Sequence, residues 1–117
     1  MKPTRLKDYL GHIRQAVEEA CDFVSGMSRE EFQNDLRTQK AVEMNLVVIG
    51  EAASRVMDRH AEFTQRHPEL PWREMRGMRN RMAHGYFEIN LDVVWSTVQT
   101  ALPALLTQLE ALPDDEA

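Results

Sequence analysis

The spacing of apolar residues is the feature of this sequence that most limits its fold. Along each amphipathic stretch they recur at steps of three and four residues, which is the spacing of one face of an α-helix. In the first stretch these residues are Leu6, Tyr9, Leu10, Ile13, Val17, Ala20 and Val24. No stretch alternates apolar and polar residues as a half-buried strand does. The sequence therefore predicts an all-α domain.

Capping and breaking residues predict about five helices. Thr4 is placed to cap the first helix and Gly26 to end it, and the spacing of Ser28 and Glu31 is that of a capping box for a short second helix. Signals of the same kind predict the remaining helices, which run from Thr38 to about His67, from Pro71 to Gly85, and from Asp92 onward. Pro103 predicts a kink or break near residues 99–102 of the last helix, because proline removes a backbone hydrogen bond.

The middle of the predicted third helix is apolar almost all round. Residues 46–49 are four consecutive apolar residues, and the small residues Gly50, Ala52 and Ala53 follow. More than one face of this helix must therefore be covered, either inside a bundle or across a dimer. We expect residues 1–113 to form one antiparallel helical bundle and residues 114–117 to be an acidic, disordered tail.

Composition restricts the compartment and the class of partner. The chain has 117 residues, a length typical of one domain, and its single cysteine, Cys21, cannot form an internal disulfide. No apolar run is long enough to span a membrane, so we expect a cytoplasmic protein without a membrane partner. A net charge of −5 argues against a protein that binds nucleic acid through overall positive charge. A local basic cluster is nevertheless present, formed by Arg73, Arg76, Arg79 and Arg81.

The residues from Arg79 to Tyr86 combine the side chains needed to cleave a phosphodiester. The guanidinium of Arg79 is permanently charged and matches the geometry of phosphate, whereas His84 can transfer protons near neutral pH. Each also has a structural interpretation. His84 could bind carbonyl groups at a helix end, and Tyr86 could be a packing residue that covers the motif.

A resemblance to a known family favours the chemical interpretation. The run PWREMRGMRNRMAHGYF at residues 71–87 resembles the signature of the HepT toxins, which are members of the HEPN ribonuclease superfamily. The family motif is an arginine, a short spacer, a histidine, any residue and a tyrosine, and Arg79, His84 and Tyr86 match it. The stretch from Met27 to Ala53 is also similar, as is, more loosely, the text around Val93 to Trp95.

The resemblance implies an activity, a partner and a form of control. It implies a homodimeric, HEPN-like toxin that cleaves RNA without a metal or another cofactor, with Arg79 and His84 as catalytic residues. It also implies that a nucleotidyltransferase antitoxin silences the toxin by transferring AMP from ATP to Tyr86. Asn80, Arg76 and Arg81 are further candidates for RNA binding, although the arginines could equally face Glu74 or the acidic residues of the first helix.

The spacing of the catalytic pair poses a geometric problem. Arg79 and His84 are five residues apart, so an ideal helix separates them by about 140°. Either the helix loosens before Gly85, or a twofold dimer brings both residues of both copies around one cleft. A dimer also supplies two histidines, as required by cleavage that needs one proton acceptor and one proton donor.

Two other functions remain open from the sequence. The chain could be a helical accessory subunit that binds substrate for a nucleotidyltransferase without catalysis of its own. It could also be a purely structural dimer whose third helix is an assembly surface. We predict no metal site, because His60 and His67 lie seven residues apart with no suitable third ligand between them, and we expect Cys21 to be a small buried residue.

Overall fold

The computed structural model describes residues 5–113, and within this range the chain forms helices and no strand. The first five helices are α1 (Leu6–Phe23), α2 (Arg29–Gln33), α3 (Leu36–Arg59), α4 (Ala61–Arg66) and α5 (Trp72–His84). A 3₁₀ turn (Tyr86–Glu88) connects α5 to α6, which we define as residues 91–110. The predicted all-α, single-domain fold is confirmed. Thr4 and residues 114–117 lie outside the described residues, so the cap and the tail stay predictions.

Helix α3 is the central element of the bundle and packs mainly against α1 and α5. Its apolar run is divided between two environments: Leu46 and Ile49 are 2% exposed in the core, whereas Val47 and Val48 are only partly buried. Met44, on the same helix, is 61% exposed. One side of α3 therefore builds the core, and another side leaves apolar atoms near the surface.

Local side-chain caps explain where the short second helix and the long third helix begin. The predicted capping box is present: the Glu31 N–H donates to Ser28 Oγ (3.1 Å), and the Ser28 N–H donates to the Glu31 carboxylate (2.8 Å). Helix α3 starts at Leu36, two residues before the predicted start, because Asp35 is its cap and accepts the Thr38 N–H at 3.0 Å. Gly26, with a φ of 77°, lies in the turn between α1 and α2, close to the predicted end of the first helix.

The prediction of one helix from Thr38 to His67 is wrong, because the helix breaks at His60. Residue 60 has a φ of −135° and a ψ of 51°, outside helical geometry, and a separate α4 follows. The change of direction places Phe63 in the core at 2% exposure. There its ring lies 6.1 Å from the Trp72 ring and 4.6 Å from the His67 ring, centroid to centroid. Burial of Phe63 therefore accounts for a break that neither glycine nor proline marks.

The last helix differs from its prediction at its cap. We expected Asp92 to be the cap, but the cap is Asn90. The Asn90 Oδ1 accepts the Asp92 N–H at 2.9 Å, and the helix begins at Leu91. The Asp92 carboxylate instead accepts hydrogen bonds from Arg29 and Gln33 of α2. These contacts tie the start of α6 to the second helix.

The interruption expected before Pro103 takes the form of a widened turn. Residues Thr97–Ala101 form a π turn, in which the Leu102 N–H donates to the Thr97 carbonyl. The helix then continues through Leu102–Glu110 without a break. Because proline has no N–H to donate, a wider turn immediately before it lets the helix continue.

None of the helices in residues 5–113 is both long and apolar enough to cross a membrane.

Candidate active site

Helix α5 and the turn after it carry every candidate site residue. The helix starts at Trp72, which is buried and donates its indole N–H to the His67 carbonyl at 3.0 Å. It ends at His84, where the Gly85 N–H donates to the Arg81 carbonyl at 2.9 Å. The element is thus anchored in the core at its beginning and reaches solvent at its end.

Gly50 allows α5 to lie directly against α3. A Cβ atom at position 50 would be 2.1 Å from Arg79 Cβ and 2.5 Å from the Met75 carbonyl oxygen, so only glycine fits. The α3 backbone at Gly50 therefore lies against the α5 backbone at Met75 and Arg79. This contact brings the polar residues that follow Gly50 on α3 within reach of the Arg79 side chain.

Two residues of α3 hold the Arg79 guanidinium. Its Nη1 donates to Glu51 Oε1 at 3.3 Å, and its Nη2 donates to Ser54 Oγ at 3.1 Å. Its Nε is buried and has no partner among residues 5–113. The side chain is 24% exposed. Arg79 is therefore a partly buried cation in a fixed orientation, with one N–H that still lacks an acceptor.

Ser54 connects Arg79 to a second arginine. The Ser54 side chain is buried, and its hydroxyl oxygen also accepts from Arg76 Nε at 3.0 Å. Arg76 Nη2 donates to the Ser54 carbonyl at 3.3 Å and to Asp58 Oδ1 at 2.9 Å. The partner of Arg76 is thus neither Glu74 nor an acidic residue of α1, the two possibilities considered from the sequence. Arg76 lies on the face of α5 that packs against α3.

His84 lies away from this cluster. It is the last residue of α5, it is exposed, and its side chain makes no hydrogen bond within residues 5–113, so it does not bind the carbonyls at its helix end. Helix α5 is regular up to His84, so it does not loosen to bring His84 towards Arg79. Asn80 and Arg81 are also exposed. Within one chain, the two predicted catalytic residues therefore do not converge.

Tyr86 follows in the 3₁₀ turn and is largely accessible. The residue is 57% exposed, which does not fit a packing residue that covers the motif. Its neighbour Phe87 is 90% exposed, and the two ring centroids are 4.4 Å apart. On the other side of the turn, a cavity of about 240 Å³ is lined by residues that include Arg81, Glu88 and Asn90.

Sequence reasoning missed the contribution of Glu51 and Ser54. They are three residues apart, so they lie on one face of α3, directly after the small residue Gly50. Small residues had indicated a close helix pair, but nothing in the sequence identified α5 as the partner. Glu51 also binds Arg55 at 3.2 Å, so its carboxylate bridges two arginines.

The other candidates from the sequence lie elsewhere. No group of three His, Cys, Asp or Glu side chains in the described part of the chain is arranged to hold a metal ion. Cys21 is half-buried, and burial, together with the neighbouring Asp22 carboxylate, raises the pKa of its thiol. A raised pKa disfavours the nucleophilic thiolate.

Comparison with known proteins identifies the family. A model of the family described as Ribonuclease HepT-like matches residues 13–112. A protein named Probable ribonuclease HepT from Thermococcus cleftensis is 40% identical over 106 residues, which cover 91% of this chain and 94% of that protein. Putative RNase TTE0752 from Caldanaerobacter subterraneus is 34% identical over 110 residues, which cover 94% of this chain and 96% of that protein. No solved structure is significantly similar. The chain therefore belongs to the HepT-like ribonuclease family.

Proposed function

We propose that this chain is an endoribonuclease that works as a homodimer, without a metal ion, and is the toxin of a toxin–antitoxin pair. The observation that carries the proposal is the arrangement of the α5 side chains in a member of the HepT-like family. Arg79 is a fixed, partly buried cation, and His84 is an exposed proton-transfer group on the same helix. Fixed positive charge and an accessible imidazole are the groups that phosphodiester cleavage needs.

The geometry of α5 supports the proposal of a dimer. Because the helix is regular up to His84, the side chains of Arg79 and His84 leave it about 140° apart. One chain therefore cannot direct both groups at one phosphate, and it supplies one motif histidine where two are required. A twofold pair places the same surface of each copy in contact, so both arginines and both histidines can line a single cleft.

The chemistry in this cleft uses the two copies of His84 in different protonation states. The neutral imidazole removes the proton of the 2′-hydroxyl, and the 2′-oxygen attacks the adjacent phosphorus. The bond from phosphorus to the 5′-oxygen breaks as the other, protonated His84 donates its proton to that oxygen. The products are a 2′,3′-cyclic phosphate and a 5′-hydroxyl, and addition of water to the cyclic ester gives a 3′-phosphate. Arg79 stabilises the negative charge of the phosphorane.

Arg79 is suited to exchange one partner for phosphate. In the free chain its Nη1 is bound to Glu51, and its Nε has no acceptor among the described residues. A phosphate that replaces Glu51 accepts from Nη1 and takes the place of the carboxylate beside the guanidinium charge. Ser54 continues to hold Nη2 and so keeps the guanidinium oriented. Asn80 and Arg81, exposed on α5, contact the flanking RNA backbone, whereas Arg76 acts through Ser54.

Total RNA provides the test of this activity. We expect the purified protein to cleave RNA equally with and without a chelator and to leave cyclic phosphate or 3′-phosphate ends. His84→Ala and Arg79→Ala should each lower the cleavage rate by about 100-fold or more, the size of a lost acid–base or charge-stabilising group. The matched controls are His12→Ala and Arg37→Ala, which alter exposed residues of the same types on α1 and α3. Equal cleavage by the wild type and both motif variants would rule the assignment out.

Growth of the host provides the test of the toxin role. Expression of the wild-type chain alone should slow growth, and His84→Ala should relieve the effect. If expression is harmless and the chain binds a nucleotidyltransferase stably, the accessory-subunit function is favoured instead.

Tyr86 is the proposed site of control. Its phenol oxygen attacks the α-phosphorus of ATP on the antitoxin, pyrophosphate leaves, and the phenol proton passes to solvent. The exposure of Tyr86, two residues after His84, supports this role. The added phosphate introduces negative charge and bulk where RNA must bind. Intact-mass measurement after incubation with the antitoxin and ATP should give an AMP increment for the wild type and none for Tyr86→Phe. An increment retained by Tyr86→Phe would refute this site.

A further inference from the structure

The turn after α5 presents two adjacent aromatic rings to solvent. Phe87 is 90% exposed, which is the highest value among the large apolar residues of the described chain, and Tyr86 is 57% exposed. The ring centroids are 4.4 Å apart with planes inclined at 43°, so Tyr86 supports Phe87 from one side. A hydrogen bond from the Glu88 N–H to the Gly85 carbonyl, 2.9 Å long, closes the turn beneath them. Phe87 therefore offers a supported aromatic surface that contacts nothing else of comparable size.

The surroundings of this ring favour an anionic ligand over an apolar protein partner. Of the four arginines of α5, Arg76 and Arg79 are paired with acidic residues of α3, whereas Arg81, the nearest to the turn in sequence, is exposed. Exposed Arg81 and His84 precede the turn, and one exposed acidic residue, Glu88, follows Phe87. Proteins bind single-stranded nucleic acid with this combination of an exposed aromatic ring and basic side chains: the cations bind the phosphates, and the ring stacks on a base.

The ring is also at the right distance from the proposed chemistry. Phe87 is three residues after His84, so their backbones are at most about 11 Å apart even if the chain were fully extended. A base adjacent to the scissile phosphate can therefore reach the ring while the phosphate stays near His84. Stacking needs a base whose face is open, and a base inside a duplex already stacks on its neighbours.

We propose that Phe87, supported by Tyr86, is a stacking subsite for one unpaired nucleobase next to the scissile phosphate, and that the substrate is therefore single-stranded RNA. The subsite deepens the proposed ribonuclease function and rests on it for the position of the phosphate. Phe87 contributes to binding and not to proton transfer, so its loss should raise KM more than it lowers kcat.

Binding to an RNA that cannot be cut tests the subsite directly. The probe is a labelled, single-stranded oligoribonucleotide of mixed sequence, titrated with protein that carries His84→Ala. In that background Phe87→Ala should weaken binding by roughly 5- to 100-fold, as expected for the loss of one stacked base. Phe87→Trp should bind as tightly as the parent or more tightly, whereas Phe87→Leu should resemble Phe87→Ala. The matched control is Phe23→Ala, because Phe23 is also an exposed phenylalanine, 46% exposed in α1, and it should leave binding unchanged.

Several results would overturn the subsite. The first is unchanged binding by Phe87→Ala, and the second is parent-like binding by Phe87→Leu, because a leucine cannot stack. Equal affinity for the same RNA in duplex form, with the same dependence on Phe87, would also contradict it. If Phe87→Ala abolishes the dimer in sedimentation, or abolishes only the binding of a nucleotidyltransferase, the ring belongs to a protein interface instead.

Wild-type cleavage, measured separately, keeps this inference distinct from the proposed function. RNA binding that depends on Phe87 in a protein that never cleaves RNA would refute the nuclease and leave Phe87 as a base-stacking site with no scissile phosphate beside it. Cleavage whose KM is unaffected by Phe87→Ala would refute the subsite and leave the nuclease intact.

Discussion

Replacing Gly50 with alanine tests whether the close contact between α3 and α5 fixes the position of Arg79. The new Cβ would lie 2.1 Å from Arg79 Cβ and 2.5 Å from the Met75 carbonyl oxygen, whereas ordinary contacts begin at 3.4 Å. Neither atom lies at the end of a flexible side chain, so a change of rotamer cannot relieve the overlap. Helix α5 must therefore move away from α3 by about 1 Å or more.

The expected loss of stability follows from two opposing effects. An overlap this deep should cost about 3 kcal/mol, the upper end of the usual range for an overpacked core. Alanine has a higher helix propensity than glycine and returns about 1 kcal/mol. We therefore expect Gly50→Ala to lower the free energy of unfolding by about 2 kcal/mol. The same movement would stretch the bonds from Arg79 to Glu51 and Ser54, now 3.3 and 3.1 Å long, beyond hydrogen-bond length.

Urea denaturation followed by circular dichroism measures this effect. It should be run at several protein concentrations, because the proposed dimer would make apparent stability depend on concentration. The matched control is Gly11→Ala in α1, where a Cβ would have no neighbour within 4 Å and alanine should stabilise by up to about 1 kcal/mol. If Gly50→Ala proves as stable as the wild type, the close approach of the two helices is not what positions Arg79.

Two further predictions concern the polar contacts of α3. Ser54→Ala should lower the free energy of unfolding by about 1–3 kcal/mol, because one N–H of each of two guanidinium groups loses its acceptor, whereas exposed Ser25→Ala should change it by less than about 0.5 kcal/mol. Equal effects in urea denaturation would contradict the role of the Ser54 hydroxyl. A hydrogen bond from the backbone N–H of Thr38, and a second from its hydroxyl with a smaller effect, hold the pKa of Asp35 below the ordinary aspartate value of about 3.9. The cap therefore stabilises the fold while the carboxylate is ionised. The stability difference between the wild type and Asp35→Ala should accordingly be largest at neutral pH and shrink as pH falls through the folded-state pKa, and a difference that grows in acid would refute this explanation.

Features that depend on neighbouring residues were predictable from the sequence. The capping box of Ser28 and Glu31 involves side chains one turn apart, so its pattern can be read directly, and the apolar spacing sufficed for an all-α fold. The interruption near Pro103 was also expected, because a missing N–H is a local property. Its form as a π turn was not predictable, since it depends on how α6 packs against the rest of the bundle.

Features that depend on contacts between distant segments were not predictable. The break at His60 has no local signal and follows from the burial of Phe63 against Trp72. The bonds from Arg79 to Glu51 and Ser54 depend on the register between α3 and α5. Gly50 permits this register, but its presence in the sequence does not predict it. The motif pointed to Arg79 and His84, and their spacing predicted that they diverge on an ideal helix, yet only the structure indicates that α5 stays regular up to His84.

A dimer with a single His84 tests the central claim, that two copies share one cleft and each contributes a histidine. Wild-type and His84→Ala chains with different tags can be coexpressed, and the mixed dimer can be isolated by two successive affinity steps. If one histidine accepts a proton and the other donates one, the mixed dimer should cleave RNA about 100-fold or more slowly than the wild type, nearly as slowly as the His84→Ala homodimer. A rate close to half that of the wild type, or a chain that forms no dimer at all, would contradict the account.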